Sequence, residues 1–169
     1  VEQSGGGNEL KTAVIGAGAW GTALAKVVHS GGGDVCLWGR DVEALATLGQ
    51  AGRNERYLPG IDLPADLPAQ ASLSKAVDGA SCVVLAIPSR AFREVTARLS
   101  KFDGVAVSVT KGIEFETGLT MGGILGKTMP LARVAALSGP TLAEEVCHDM
   151  PSAAVAASEA AGVAETVQQ

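Results

Sequence analysis

Three glycines, Gly16, Gly18 and Gly21, form the pattern in this sequence with the clearest chemical meaning. They follow a short apolar run at residues 13–15 and open an apolar stretch with helical spacing. Gly16 permits a tight turn, Gly18 leaves the main chain bare for a pyrophosphate, and Gly21 lets a helix pack closely on a strand. The helix start adds unpaired N–H groups and a partial positive charge. The pattern therefore predicts a dinucleotide-binding turn.

The residue that ends the second apolar run bears on which dinucleotide binds. Residues 35–38 are followed by Gly39, Arg40 and Asp41. A guanidinium pairs bidentately with a 2′-phosphate, whereas an acidic residue at this place binds a ribose 2′-OH. Arg40 therefore favours NADP(H), with NAD(H) as the alternative. A simpler interpretation, compatible with the first, leaves Arg40 in solvent and makes Asp41 the cap of the next helix.

Two more polar segments follow predicted strands. Lys111 comes after the run 105–109 and precedes a glycine, which makes it a candidate cation for a substrate carbonyl or phosphate; position alone would favour an ordinary exposed lysine. Residues 138–144 combine a tight turn with a capping box from Thr141 to Glu144, which predicts a helix start. Ligands lie beyond the carboxyl ends of the strands in an open α/β sheet, so both segments are expected at one crevice.

The elements that must position these residues are predicted by the hydrophobic pattern. Val- and Ala-rich runs alternate with helical periodicity, which indicates an α/β fold of Rossmann type, with a doubly wound, mostly parallel sheet. The predicted strands are 11–15, 35–38, 83–87, 105–109, 134–137 and 153–157. The first helix carries Trp20 on its apolar stripe and Thr22 on the opposite face.

Three segments depart from this alternation of strands and helices. Residues 50–70 contain several prolines and predict a surface loop. Ser158 is expected to cap a helix that runs to residue 169 without a stop signal, which predicts a fragment of a longer protein. Residues 1–10 are expected to form a flexible leader.

Composition excludes several classes of function. The net charge of −5 argues against a general nucleic-acid binder, and no apolar run is long enough for an integral membrane segment. Three dispersed cysteines predict free thiols in a reducing compartment, and the two histidines are too scattered for a metal site. We therefore expect a cytoplasmic protein that takes a small-molecule partner and no metal.

Six stretches, taken together, resemble a known family. They are IGAGAWGTALA (15–25), LWGR (37–40), NERYLPGIDLP (54–64), VVLAIPS (83–89), SVTKGIE (108–114) and SGPTLAEEV (138–146). The chain resembles the bacterial type of NAD(P)-dependent glycerol-3-phosphate dehydrogenase over roughly residues 11–167. The last two stretches are more diagnostic than the glycine turn.

The resemblance implies a function for the whole protein. The family interconverts dihydroxyacetone phosphate and sn-glycerol 3-phosphate with NADPH or NADH, for glycerophospholipid synthesis. Its fold joins a Rossmann-type domain to a C-terminal helical domain, which is absent from this chain. Residues 11–169 are therefore predicted to be the cofactor-binding domain, inactive alone. The resemblance also allows a homodimer for a full-length protein.

The resemblance assigns roles to individual residues as well. It implies cofactor contacts at Ala19, Trp20, Arg40, Lys111 and Ala143, beside the three glycines of the turn. It implies substrate contacts at Lys111, Gly139 and Thr141. The family's proton-donating lysine would lie beyond residue 169, so no catalytic residue is expected within the chain.

Three alternatives remain open. A ketopantoate-reductase-like or 6-phosphogluconate-type dehydrogenase would also begin with a glycine turn, although neither is expected to share segments 108–114 and 138–146. A non-catalytic NADP-sensing module would bind the nucleotide without turnover. A degenerate domain would bind nothing.

Overall fold

The computed structural model describes residues 10–168, which form three layers with helices on both faces of one sheet. The expected leader lies almost wholly outside the described residues. The strands are β1 (Thr12–Ile15), β2 (Val35–Trp38), β3 (Arg53–Asn54), β4 (Leu58–Asp62), β5 (Ala69–Gln70), β6 (Cys82–Leu85), β7 (Val105–Ser108), β8 (Arg133–Ser138) and β9 (Val155–Ser158). The helices are α1 (Ala19–Ser30), α2 (Val42–Ala51), α3 (Leu73–Ala76), α4 (Ser89–Ala97), α5 (Met121–Thr128), α6 (Ala143–Cys147) and α7 (Val163–Val167).

The main sheet has seven strands in the order β5-β2-β1-β6-β7-β8-β9. Its neighbours pair in parallel, except that β9 runs antiparallel to β8. The register places Ile15, at the end of β1, opposite Trp38 of β2 and Leu85 of β6. The carboxyl ends of the central strands therefore meet at one edge, and the predicted Rossmann-type fold is confirmed.

Apolar residues on alternate sides of the strands build a core on each face. Ile15, Leu85 and the fully buried Phe92 of α4 belong to the core on one face. Val14 and Leu37 pack with α1 on the other face. A strand covered on both sides needs a continuous apolar run, and such runs predict these strands from the sequence.

The expected surface loop at residues 50–70 is wrong in part. The segment forms an antiparallel pair, β3 and β4, which we call the hairpin arm (residues 53–62), and β5, which joins the edge of the main sheet. Leu58 and Ile61 of the arm are buried against Val14 and Leu37. The prolines of the segment favour a loop prediction, but its apolar residues reach the core because the arm folds back over it.

Three local expectations for helices are also corrected. Ser158 ends β9 and does not cap a helix; its hydroxyl donates to Val134 O and accepts from Ala160 N, and the helix begins only at Val163. The capping box at Thr141 does not form, because α6 has Leu142 at its N-cap and no side-chain cap. Thr22, predicted on the face of α1 opposite the apolar stripe, is fully buried.

Candidate functional site

A cleft of about 520 Å³ opens at the carboxyl edge of the sheet, beyond β1, β2 and β6. Its floor is the turn from Gly16 to Trp20, where β1 passes into α1. Arg40 and Asp41, at the end of β2, form one side, and Pro88, after β6, lies on the other. The structure therefore brings the predicted turn and Arg40 together at one site.

The three glycines of the turn have different physical reasons to be glycine. Gly16 has a φ of +124°, and a Cβ there would lie 2.3 Å from Ala86 O. A Cβ on Gly21 would lie 1.8 Å from Gly16 O, so α1 can approach the turn only because that side chain is missing. Gly18 has a φ of −79°, which suits any residue, and a Cβ there would meet nothing within 4 Å. The fold accounts for two of the glycines, and Gly18 alone keeps space open at the helix N-terminus.

The hairpin arm holds the turn from outside the Rossmann core. Asn54, which is buried, donates from Nδ2 to Ala17 O at 3.1 Å and to Thr22 Oγ1 at 2.8 Å. The first bond ends on the turn itself, and the second ends on the first turns of α1. Asn54 therefore fixes the turn relative to the helix whose N-terminus faces the cleft.

The end of β2 carries a group of charged side chains at the cleft. Arg40 is exposed there. Asp41 accepts a hydrogen bond from Ala44 N through Oδ1, so the expected cap of α2 is confirmed. Its Oδ2 lies 3.5 Å from Nη1 of Arg56, and that guanidinium lies over the ring of Tyr57, 5.2 Å from the ring centre. Arg56 and Tyr57 both line the cleft.

The loop after β7 is tied to its surroundings. Thr110 donates from Oγ1 to Leu85 O and Ile87 O, at 3.0 and 2.8 Å, which joins the ends of β6 and β7. Farther along, Glu114 receives two hydrogen bonds from the guanidinium of Arg93 on α4. These bonds, together with one from Thr117, hold the pKa of Glu114 at about 2. The chain is therefore anchored on both sides of Lys111, at Thr110 and at Glu114.

The remaining predicted residues lie outside the lining of the cleft. Lys111 is exposed next to Thr110, which does line it. Gly139 and Thr141 follow β8, and a Cβ on Gly139 would lie 2.4 Å from Ala153 O, so close packing explains that glycine. Ala143 begins α6 and packs against the core beside α1. The roles given to these residues by resemblance stay predictions.

Asn54, Arg56 and Tyr57 are the site residues that sequence reasoning missed. They lie within the stretch NERYLPGIDLP, which contributed to the resemblance but to which no role was attached. A polar Asn-Glu-Arg-Tyr run between a helix and a buried leucine is the only local signal. Their position at the cleft depends on the fold of the hairpin arm, which no periodicity in the segment predicts.

Other kinds of site find no support in the described part of the chain. Among residues 10–168, no group of His, Cys, Asp and Glu side chains is arranged to hold a metal ion. Over the same residues, no helix combines the length and apolar character needed to cross a bilayer. Cys36, Cys82 and Cys147 are free thiols, and burial raises the pKa of each.

Comparison with known proteins agrees with the resemblance found in the sequence. Residues 11–164 match the family model described as the NAD-dependent glycerol-3-phosphate dehydrogenase N-terminus. The relatives include glycerol-3-phosphate dehydrogenases [NAD(P)+] of Chlorobium phaeobacteroides, 42% identical over 95% of this chain, and Anaeromyxobacter dehalogenans, 39% identical over 94%. This chain spans 50% of each of those relatives. The crystal structure of the Coxiella burnetii glycerol-3-phosphate dehydrogenase has a TM-score of 0.87 and 30% identity, over 94% of this chain and 50% of that one.

Proposed function

This chain belongs to the family of NAD-dependent glycerol-3-phosphate dehydrogenase N-terminal domains, and we propose that it is the cofactor-binding half of such an enzyme. In the proposed reaction, dihydroxyacetone phosphate and sn-glycerol 3-phosphate are interconverted with NADP(H), or with NAD(H) as the second choice. Supply of glycerol 3-phosphate to phospholipid synthesis in the cytoplasm, and a homodimer of the longer protein, are part of the same proposal.

The single observation that carries the proposal is the open space at Gly18. The turn lies at the N-terminus of the twelve-residue helix α1, where unpaired N–H groups and the helix dipole favour an anion. Gly16 and Gly21 are explained by packing, but Gly18 is not. A missing side chain at an otherwise unconstrained position fits close approach of a pyrophosphate to the main chain.

The chemistry divides between this chain and the remainder of the enzyme. A nicotinamide dinucleotide held at the turn from Gly16 to Trp20 would supply the hydride chemistry. A carbonyl substrate must be polarised, and the alkoxide that forms must be protonated. We assign polarisation to Lys111, whose backbone is anchored beside the cleft by Thr110. We assign protonation, by resemblance, to a lysine of the helical half of the enzyme, so this chain alone should bind cofactor without turnover.

The first experiment measures cofactor binding by the fluorescence of NADPH and NADH. We expect NADPH to bind more tightly than NADH, and Arg40→Asp to reverse the preference because a carboxylate repels the 2′-phosphate and accepts from a 2′-OH. Failure of the unaltered chain to bind either nucleotide would overturn the proposal. Binding of NADPH that is unchanged by Arg40→Asp would overturn only the role of Arg40.

The second experiment tests the substrate. A chimera joins this chain to the second half of the Chlorobium phaeobacteroides relative, and NADPH oxidation is followed by the loss of the cofactor's absorbance. We expect oxidation with dihydroxyacetone phosphate, and a loss of about 100-fold or more in kcat for Lys111→Met. Turnover of ketopantoate instead would favour a ketopantoate-reductase-like enzyme. Tight NADPH binding by a folded chimera with no turnover would favour the sensing module.

A further inference from the structure

A second guanidinium lines the cleft that contains Arg40, and no motif in the sequence pointed to it. Arg56 belongs to the hairpin arm and lines the same cleft as Arg40. It is held there by two contacts, one with the Asp41 carboxylate and one with the face of Tyr57. A cation over an aromatic ring is attracted by the ring quadrupole, which favours this placement of the guanidinium.

Asp41 makes this placement important, because its charge opposes the proposed NADP(H) preference. An acidic side chain at the end of the second strand is the group that accepts a hydrogen bond from a ribose 2′-OH, and it repels a 2′-phosphate. One oxygen of Asp41 is engaged in capping α2. The other faces Arg56 at 3.5 Å, so the guanidinium of Arg56 offsets the charge directed toward the cleft.

We propose that Arg56 determines cofactor specificity, because it masks Asp41 and serves with Arg40 as a second cation for the 2′-phosphate of NADP(H). The inference rests on the proposed function, since it presumes that a dinucleotide occupies this cleft. Arg56 and Asp41 come from different elements, the hairpin arm and the end of β2. The arm thereby offsets a negative charge that follows β2, a strand with which the arm does not pair.

The guanidinium of Arg56 can contact a phosphate while it stays beside Asp41, because only its Nη1 faces the carboxylate. The side chains of Arg56 and Asp41 are 67% and 54% exposed, and their separation of 3.5 Å is long for a charged hydrogen bond. Exposed pairs of this kind contribute little to folding. A small shift of Arg56 toward a phosphate therefore costs little and leaves it near Asp41, and its replacement should change binding without unfolding the protein.

The experiment compares four variants of the chain, each titrated with NADPH and with NADH at two salt concentrations. Arg56→Gln removes the second cation. Arg53→Gln is the matched control: Arg53 lies on the same arm but pairs with Asp62 and Glu55, and it does not line the cleft. Asp41→Asn removes the masked charge while keeping a residue that caps helices well. The fourth variant combines Arg56→Gln with Asp41→Asn.

For Arg56→Gln we expect NADPH affinity to fall about tenfold or more, as for the loss of one charge-assisted contact, with NADH affinity unchanged or higher. The loss should be smaller when Asp41→Asn is already present, because the unmasked carboxylate is gone. It should also shrink at high salt. Arg53→Gln should leave the NADPH-to-NADH ratio as it is in the unaltered chain.

Two results would overturn the inference and leave the proposed function standing. In the first, Arg56→Gln lowers NADPH and NADH affinity equally, which means that Arg56 only shapes the cleft. In the second, the unaltered chain binds NADPH and Arg56→Gln binds it equally well. If the unaltered chain binds neither nucleotide, the proposed function and this inference fail together.

Discussion

Two glycines of the same turn should respond in opposite ways to added side chains. In Gly21→Ala, the new methyl group must displace the Gly16 carbonyl, which a Cβ would approach to 1.8 Å. Overpacking against backbone costs about 3 kcal/mol. For a chain of this size, that cost lowers the midpoint of thermal unfolding by roughly 6–12 °C.

In Gly18→Val, the same reasoning predicts a stable protein that binds poorly. The φ of −79° suits valine, and the new Cβ meets no atom within 4 Å. Valine is a poor N-cap, which lowers the free energy of unfolding by about 1 kcal/mol. It also reduces the conformational entropy of the unfolded chain, which offsets about half of that loss. The added side chain occupies the space proposed for the pyrophosphate, so at least one charge-assisted contact should be lost, about tenfold to a hundredfold in NADPH affinity.

The assay pairs differential scanning fluorimetry with NADPH titration on both variants and on the unaltered chain. The expected pattern is a melting temperature within about 4 °C of the unaltered chain and weak NADPH binding for Gly18→Val. Gly21→Ala should unfold at a clearly lower temperature than the unaltered chain. Undiminished NADPH affinity in Gly18→Val would refute the assignment of the phosphate site to this turn. Full stability in Gly21→Ala would refute the packing account of that glycine.

Three further outcomes follow from the structure. Arg93 holds the pKa of Glu114 at about 2, below its ordinary 4.5, so the folded state binds this proton less readily than the unfolded state. The resulting stabilisation is complete above pH 4.5 and is lost as the pH falls toward 2. Glu114→Gln should flatten this pH dependence of the free energy of unfolding, measured by urea titration. Phe92→Ala empties a fully buried position and should cost about 3–5 kcal/mol in the same titrations. Burial raises the pKa of Cys82 to about 11, so native protein at pH 8 should alkylate with iodoacetamide at this thiol much more slowly than protein in urea.

The structural predictions that are confirmed depend mostly on neighbours in sequence. The bend between β1 and α1, as distinct from its proposed role in binding, is largely local: Gly16 has a φ of +124°, and a Cβ on Gly21 would meet Gly16 O. Asp41 caps the helix that follows it immediately. The strands of the sheet centre needed only an apolar run. Each of these features is fixed by local geometry, so a single sequence suffices to predict it.

The predictions that failed depend on distant partners. The burial of Thr22 is not predicted by the helical pattern, because the amide that satisfies its hydroxyl belongs to Asn54, far along the chain. Ser158 has the residue type of a helix cap, but Val134 O on the neighbouring strand takes its hydroxyl. A polar side chain has several partners available in principle, and only the tertiary fold selects one.

The same dependence explains why the hairpin arm belongs to the site. The turn is held by its own backbone bonds, from Gly16 N to Trp38 O at 2.9 Å and from Thr22 N to Gly18 O at 3.0 Å, and from outside by Asn54 on Ala17 O. Donors fixed before a ligand arrives need no reorganisation when it binds, which makes their interaction stronger. The arm therefore contributes to the proposed phosphate site twice, through the rigidity that Asn54 gives the turn and through the charge that Arg56 brings to its far end. Affinity for the pyrophosphate and discrimination of the 2′-phosphate should accordingly respond to different residues of one arm.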